Sequence, residues 1–196
     1  AQDLQRPAAE YAVEPGQDVG AQVVFEWLHR VIEGGKHHTA AACHLQLGQA
    51  VLAEVVPAFQ RLRAAGKMLE KAAVTGHYDQ LEKAEITNYL LRHPHSCDLV
   101  TAADTMIYFG DLEKVFKAVA TVLRPGGHFV FTVEVLTPQD VVADGYCLHA
   151  SGRYRHGPDY VRTLLQAQGM EMLHRRDEVL REEVRQPVAG AMIRTH

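Results

Sequence analysis

Long apolar runs are missing from this 196-residue chain. No stretch nears the ~18 consecutive apolar residues that a bilayer-spanning helix needs. The opening segment, Ala1 to Glu14, has neither a basic region nor an apolar one of the secretory kind. Charge of one sign is also lacking: 24 Asp and Glu stand against 20 Lys and Arg, a formal charge of -4. That balance supplies no electrostatic excess to hold a phosphate backbone or an anionic membrane. The expectation is a soluble cytoplasmic protein that binds neither nucleic acid nor membrane. Cysteine is scarce and scattered, at Cys43, Cys97 and Cys147, in a chain long enough to stabilise itself without disulfides; three reduced thiols are expected. Ser96 and Ser151 are the only serines, and neither sits in a nucleophile elbow.

Apolar residues make up 47% of the chain, enough for one globular domain to bury roughly 70% of its unfolded surface. Residues 1–19 carry Pro7, Pro15 and Gly16 without a sustained period and read as an irregular arm, leaving 20–196 as the domain. Helical spacing marks 21–33 and 51–62, whereas 40–47 suits either a short strand or the front of the second helix. Residues 67–74 are helical with Gly76 as a stop, Gln80 to Ile86 suits a short strand, and Thr87 to Arg92 a turn of helix. Asp98 to Asp104 reads as a strand. Asp111 caps a helix with Leu112, Val115, Phe116, Val119, Val122 and Leu123 on one face, and Pro125-Gly126-Gly127 ends it. Phe129 to Val135 is apolar on both faces, as a covered central parallel strand requires. A helix over 158–168 and two extended segments, 170–179 and 188–194, around a turn at Gln186-Pro187 finish the chain. Alternating strand and helix with a closing hairpin predicts an α/β fold with a mostly parallel sheet. Ligands of such sheets bind outside the carboxyl ends of the strands, which points to Glu85 and Ile86, to Ala102 through Tyr108, and to Glu134 through Thr137.

Twelve histidines raise the question of a metal, with His93-Pro94-His95-Ser96-Cys97 the densest cluster. The paired spacings of a tetrahedral site are absent, so no metal is expected. Cys147 and His149 would point to opposite faces of an extended segment, which argues against a nucleophilic pair. Arg153, Tyr154, Arg155 and His156 form a basic and aromatic group that suits either an acidic ligand group or a solvated turn ahead of Pro158; the turn is the expected reading.

Three pieces together are specific: MLEKA at 68–72, DLVTAADTMIYFGDL at 98–112 and LRPGGHFVFTVE at 123–134. The run from Lys67 to Val135 resembles the class I S-adenosylmethionine-dependent methyltransferases, and among them the bacterial branch often attached to tetratricopeptide repeats. The final QPVAGAMIRTH extends the resemblance over about 130 residues, to His196. It implies a Rossmann-like fold with a seven-stranded mixed sheet and a C-terminal antiparallel hairpin. It also implies S-adenosylmethionine as cofactor and a methyl acceptor that is a small molecule or a protein.

Residue by residue, the resemblance places Glu85 at the adenine amino group, with Ile86 beside the ring. Without it, Glu85 reads as a solvated loop carboxylate. Ala102 and Ala103 would let the methionine portion approach the backbone, or they are packing alone. Met106 and Tyr108 follow in the loop that faces substrate, or they cover the sheet edge. In the family's first strand and loop, Gly48 alone remains of the expected glycines, and Gln46 stands where the family has an acid. Arg61 to Gly66 stands where it has the ribose-binding acid. The methyltransferase region from 36 to 66 is thus degenerate, and a catalytically inactive scaffold acting as a binding subunit is the alternative function.

Overall fold

The computed structural model describes residues 42–44, 74, 84–183 and 185–196. Readings that fall elsewhere, including the 1–19 arm, the helices at 21–33 and 51–62, and the loop around Gly48, lie outside the described residues.

Three parallel strands form the spine of the sheet: β1 (Ala42–His44), β2 (Cys97–Ala102) and β3 (Leu123–Val135). Of the two readings of 40–47, the described residues 42–44 follow the strand. Between β1 and β2 in sequence lies α1 (Ile86–Arg92), and between β2 and β3 lies α2 (Glu113–Val122). These crossovers keep β2 and β3 parallel and send all three carboxyl ends to one edge. On its other side β3 pairs antiparallel with β7 (Gln186–Thr195), which pairs antiparallel with β6 (Met172–Glu183). A small hairpin, β4 (Tyr146–Leu148) and β5 (Tyr154–His156), joins the carboxyl end of β3 through Glu134↔Arg155 and Val135↔His156. Then α3 (Pro158–Ala167) leads into β6.

Phe129, Phe131 and Val133 lie in the main core with Phe116, Val119 and Leu90. Phe129 and Phe131 stack at 4.4 Å between ring centres, and Phe116 meets both edge-on, a geometry that suits the ring quadrupoles. By strand alternation Val130, Thr132 and Glu134 face the opposite side, and all three are buried. A central strand covered on both faces is what the apolar run at 129–135 demands, yet it ends on a buried acid.

Several boundaries differ from the sequence reading, each for a physical reason. Residues 84 and 85 are not strand, and Ile86 opens α1, because the Glu85 carboxylate caps it, accepting from the amides of Thr87 (2.9 Å) and Asn88 (2.7 Å). Asp111 does accept from Glu113 N–H at 2.9 Å, but α2 ends at Val122. Pro125-Gly126-Gly127 does not reverse the chain after a helix; it is a bulge inside β3, where the ladder jumps from Cys97↔Leu123 to Leu99↔His128. Gly126 has φ +79°, and a Cβ on Gly127 would stand 2.9 Å from the Arg124 carbonyl oxygen. The terminal strands run longer than expected, and their turn falls at Arg185 (φ +62°), not at Gln186-Pro187. Pro187 is paired with Glu182, and it lies beyond the reach of β3, where β7 has one neighbour and the missing N–H is tolerated. Cys97 is disulfide-bonded and Cys147 is free, which corrects the expectation of three reduced thiols. Among the described residues no helix is long and apolar enough to cross a membrane.

Candidate functional site

Asp104 follows β2 with φ +49°, a left-handed conformation that costs a non-glycine residue energy and that Asp tolerates better than most. Two contacts hold it: its own N–H donates to Thr132 Oγ1 at 2.9 Å, and its carboxylate accepts from Arg181 Nη1 at 2.9 Å. Arg181 is the hub of the site. From β6 it also donates Nε to Glu183 Oε1 at 2.7 Å and Nη2 to Glu134 Oε1. The Glu134 side chain is only 2% exposed, so its charge depends on that guanidinium. Burial alone would lower the Arg181 pKa, but the hydrogen bond to Glu183 and the charges of Asp104 and Glu134 more than offset it and raise it. Glu183 is held below the usual carboxylate range by its hydrogen bond from Arg181 first, against the opposing effect of burial, and then by Arg153.

A second arm comes from β5. Arg153 pairs with Glu183, and Arg155 donates Nη1 to both oxygens of Asp140, at 3.1 and 3.2 Å. Arg155 Nε stands 3.8 Å from Glu134 Oε2, an ion pair too long for a hydrogen bond. Burial works to raise the Asp140 pKa, but donors from Thr137 and Arg155 hold it low. His156, the next residue, is fully buried and donates Nε2–H to the carbonyls of Phe109 (2.9 Å) and Gly110 (3.1 Å). Burial depresses its pKa, so the ring is neutral. Gly110 permits this contact, since a Cβ there would lie 2.8 Å from the rings of Tyr146 and Tyr154. The loop after β2 is thereby fastened to β5. The reading of 153–156 as a solvated turn is corrected: residues 154–156 are β5, and Arg153, just before it, and Arg155 are both paired.

Three of these charges, Glu134, Arg155 and Glu183, line a cavity of about 230 Å³ at the carboxyl end of β3, together with His149, Ser151 and Gln186 among others. Among the described residues that line it, two carboxylates (Glu134 and Glu183) stand against one guanidinium (Arg155), so the lining is net negative. Cys147 beside it has its pKa raised, by burial first and then by the Asp140 carboxylate, and the thiol stays protonated. It is no nucleophile.

The residues singled out from the sequence fall elsewhere on the same edge. Ala102 is fully buried and Ala103 is 8% exposed at the end of β2, beside the end of parallel β1, where His44 pairs with Thr101. No side chain larger than a methyl group stands on those two residues, which fits a cofactor resting on that backbone. Glu85 is at the start of α1 with both oxygens already accepting amides. Ile86 and Met106 have no exposed surface and belong to the core; neither presents a face to a ligand, because the packing of α1 and of the turn at Met106–Tyr108 covers them. Tyr108 alone of the expected substrate pair retains exposure. Gly48 lies outside the described residues. His93 and His95 donate from Nδ1 to the carbonyls of Tyr89 (2.8 Å) and Leu123 (3.0 Å), so both have structural roles.

The sequence points to Glu134 at the strand end and to Arg155 in the 153–156 group, but not to Arg181 and Glu183 or to the joining of the four. The signal that existed was an acid closing an otherwise apolar strand, FVFTVE, since a charge at that point needs a partner. Nothing in the sequence says that the partner is 47 residues away.

Residues 37–131 match the family model described as a methyltransferase domain. No curated protein matches the chain. Solved structures with the same fold include an S-adenosylmethionine-dependent methyltransferase from Methanosarcina mazei, at 15% identity and a TM-score of 0.56, over 84% of this chain and 95% of that one. Another, from Mesorhizobium loti, has 17% identity and a TM-score of 0.54 over 87% and 96%. The 1,6-didemethyltoxoflavin-N1-methyltransferase of Burkholderia thailandensis, solved with 1,6-didemethyltoxoflavin and S-adenosylhomocysteine, has 10% identity and a TM-score of 0.61 over 91% and 78%. The matched model and these structures agree on the fold: residues 37–131 are similar to a methyltransferase domain, and the sheet is that of the Rossmann-like methyltransferases.

Proposed function

We propose that this protein transfers a methyl group from S-adenosylmethionine to a small polar molecule bound in the charged cavity at the carboxyl end of β3. The cavity carries the proposal: it is small, it is lined by paired charges, and it lies on the edge where β1 and β2 would receive the cofactor. The cofactor supplies an electrophilic methyl group on a sulfonium. What the protein must add is mainly alignment of the acceptor with that methyl, a contribution of proximity and orientation. Arg181 serves it by fixing Asp104, Glu134 and Glu183 in one geometry, and His156 by anchoring the loop that carries Tyr108. Ala102 and Ala103 would lie toward the methionine portion, to which the resemblance also assigns Gly48. Glu85 would reach the adenine with the lone pairs its cap leaves over. Gln46 and the 61–66 stretch provide no carboxylate for the cofactor's ammonium or ribose hydroxyls, so affinity should be modest. The protein works in this reading as a soluble cytoplasmic enzyme of the branch attached to tetratricopeptide repeats.

A second reading, a scaffold that no longer turns over, is favoured by one observation. Both oxygens of Glu85 are committed to capping α1, and Ile86 beside it is sealed in the core. Calorimetric titration with S-adenosylmethionine and S-adenosylhomocysteine separates the two. Micromolar binding is expected for the enzyme. No binding at millimolar ligand by folded protein would sink that proposal and leave the scaffold.

A further inference from the structure

Two carboxylate oxygens in the cavity have no hydrogen-bond donor among the described residues. Glu134 gives Oε1 to Arg181, while Oε2 has only the Arg155 Nε at 3.8 Å. Glu183 uses Oε1 for both Arg153 and Arg181, and no donor meets its Oε2. The Glu134 side chain is otherwise almost wholly buried, so few groups can reach this oxygen. Two guanidiniums, Arg153 and Arg181, hold the first oxygens of these acids, and both acids line the same small cavity.

His149 adds a donor of known polarity. Its Nδ1 accepts from the Ser151 backbone N–H at 3.2 Å and faces Ser151 Oγ at 3.0 Å. That occupies the Nδ1 lone pair and puts the proton of the neutral ring on Nε2. With its Nδ1 so engaged, His149 offers the cavity a donor and not a base.

We propose that the cavity recognises a small molecule by a primary ammonium group, which donates to Glu134 Oε2 and Glu183 Oε2, with the His149 Nε2–H directed at a polar acceptor elsewhere on the same molecule. An ammonium has three donors and no acceptor, which matches two donorless carboxylate oxygens in a net negative site. An anion would face them unfavourably, and an uncharged alcohol would leave the negative charge uncompensated. The inference rests on the methyl-transfer reading only in naming this molecule the acceptor; the binding itself stands apart from it.

The test is titration of the full chain, followed by amide NMR, with ethanolamine and putrescine as amines and with propionamide and propionate as uncharged and anionic controls. The amines should saturate, with shifts centred on residues 134, 149–155 and 183, and bind at least about tenfold more tightly than propionamide. Glu183→Gln, at the more exposed acid, should weaken amine binding by about tenfold or more while the spectrum stays dispersed and S-adenosylhomocysteine binding persists. Equal affinity for propionamide, no saturable shift with either amine, or an unaffected Glu183→Gln variant would each overturn the proposal. The cofactor arm is read separately: amine binding without S-adenosylhomocysteine binding removes the enzyme and keeps the ammonium site, and the reverse result does the opposite.

Discussion

Replacing Arg181 by Met removes the one guanidinium that touches Asp104, Glu134 and Glu183 together, while keeping most of the side-chain stem. The Arg181 side chain is 13% exposed and that of Glu134 is 2% exposed. Breaking a buried pair from one side costs about 3–5 kcal/mol, because the remaining charge is left uncompensated. Asp104 and Glu183, at 22% and 30% exposure, recover part of their solvation, so the lower end, about 3 kcal/mol, is the expected loss. At this chain length it would lower the melting temperature by roughly 6–12 °C. Urea denaturation at pH 7 measures it directly. Because the stranded group is a carboxylate, Glu134→Gln in the Arg181→Met background should restore a large part of the loss, a coupling of about 1–3 kcal/mol. The deficit should also shrink as pH falls and the carboxylates take up protons. A single-variant loss below about 1 kcal/mol would mean that Arg181 behaves as a surface ion pair, and the view of it as the hub would be wrong.

Three further outcomes are expected. The His156 pKa is depressed by burial below its ordinary 6.5, so the folded ring stays neutral while the unfolded one takes up a proton; its contribution is complete above pH 6.5 and is lost as pH falls. His156→Phe should therefore flatten the stability profile between about pH 6.5 and 5 relative to wild type, and an unchanged slope in chemical denaturation would disprove burial of a neutral ring. Gly190→Ala would place a Cβ 2.2 Å from Leu180 Cδ1 and 2.6 Å from the Val133 carbonyl oxygen, an overpacking worth about 1–3 kcal/mol in a thermal melt. Glu85→Ala should cost about 1 kcal/mol of stability through the lost cap, whereas Glu85→Ser keeps a capping oxygen and restores most of it. If Glu85 also reaches the adenine, both variants weaken S-adenosylhomocysteine binding, by about 1–3 kcal/mol for Ala; normal binding by Glu85→Ser would confine Glu85 to its cap.

Local pattern made the central elements readable. The apolar face of α2 repeats at helical spacing, and Phe129 to Val135 is mostly apolar on both faces, so both are evident in sequence because their burial follows a fixed period. Pro125-Gly126-Gly127 was the wrong kind of punctuation. It signals backbone that departs from regular geometry, but whether that departure reverses a chain or bulges a strand depends on the partner strand, here β2. The turn of the last hairpin was displaced for a similar reason. Pro187 is a breaker in isolation, and only the limited reach of β3 made room for it within β7.

For the site, the sequence determined the acid near the end of the central strand, the small residues Ala102 and Ala103 at the end of β2, and the resemblance from which a cofactor is proposed. Those are short-range facts, carried by neighbours a few residues apart. The tertiary structure alone decided that Arg181, from β6, serves Asp104 and Glu134, that Arg155 comes from a hairpin with no strong strand signal, and that Met106 and Ile86 are core. Charges find partners through space, across separations of 21 to 77 residues, and no periodicity records such a pairing. A strand ending in Glu134 tells the reader that a counter-charge must exist; only the sheet, by setting β6 and β5 beside that end, says which one.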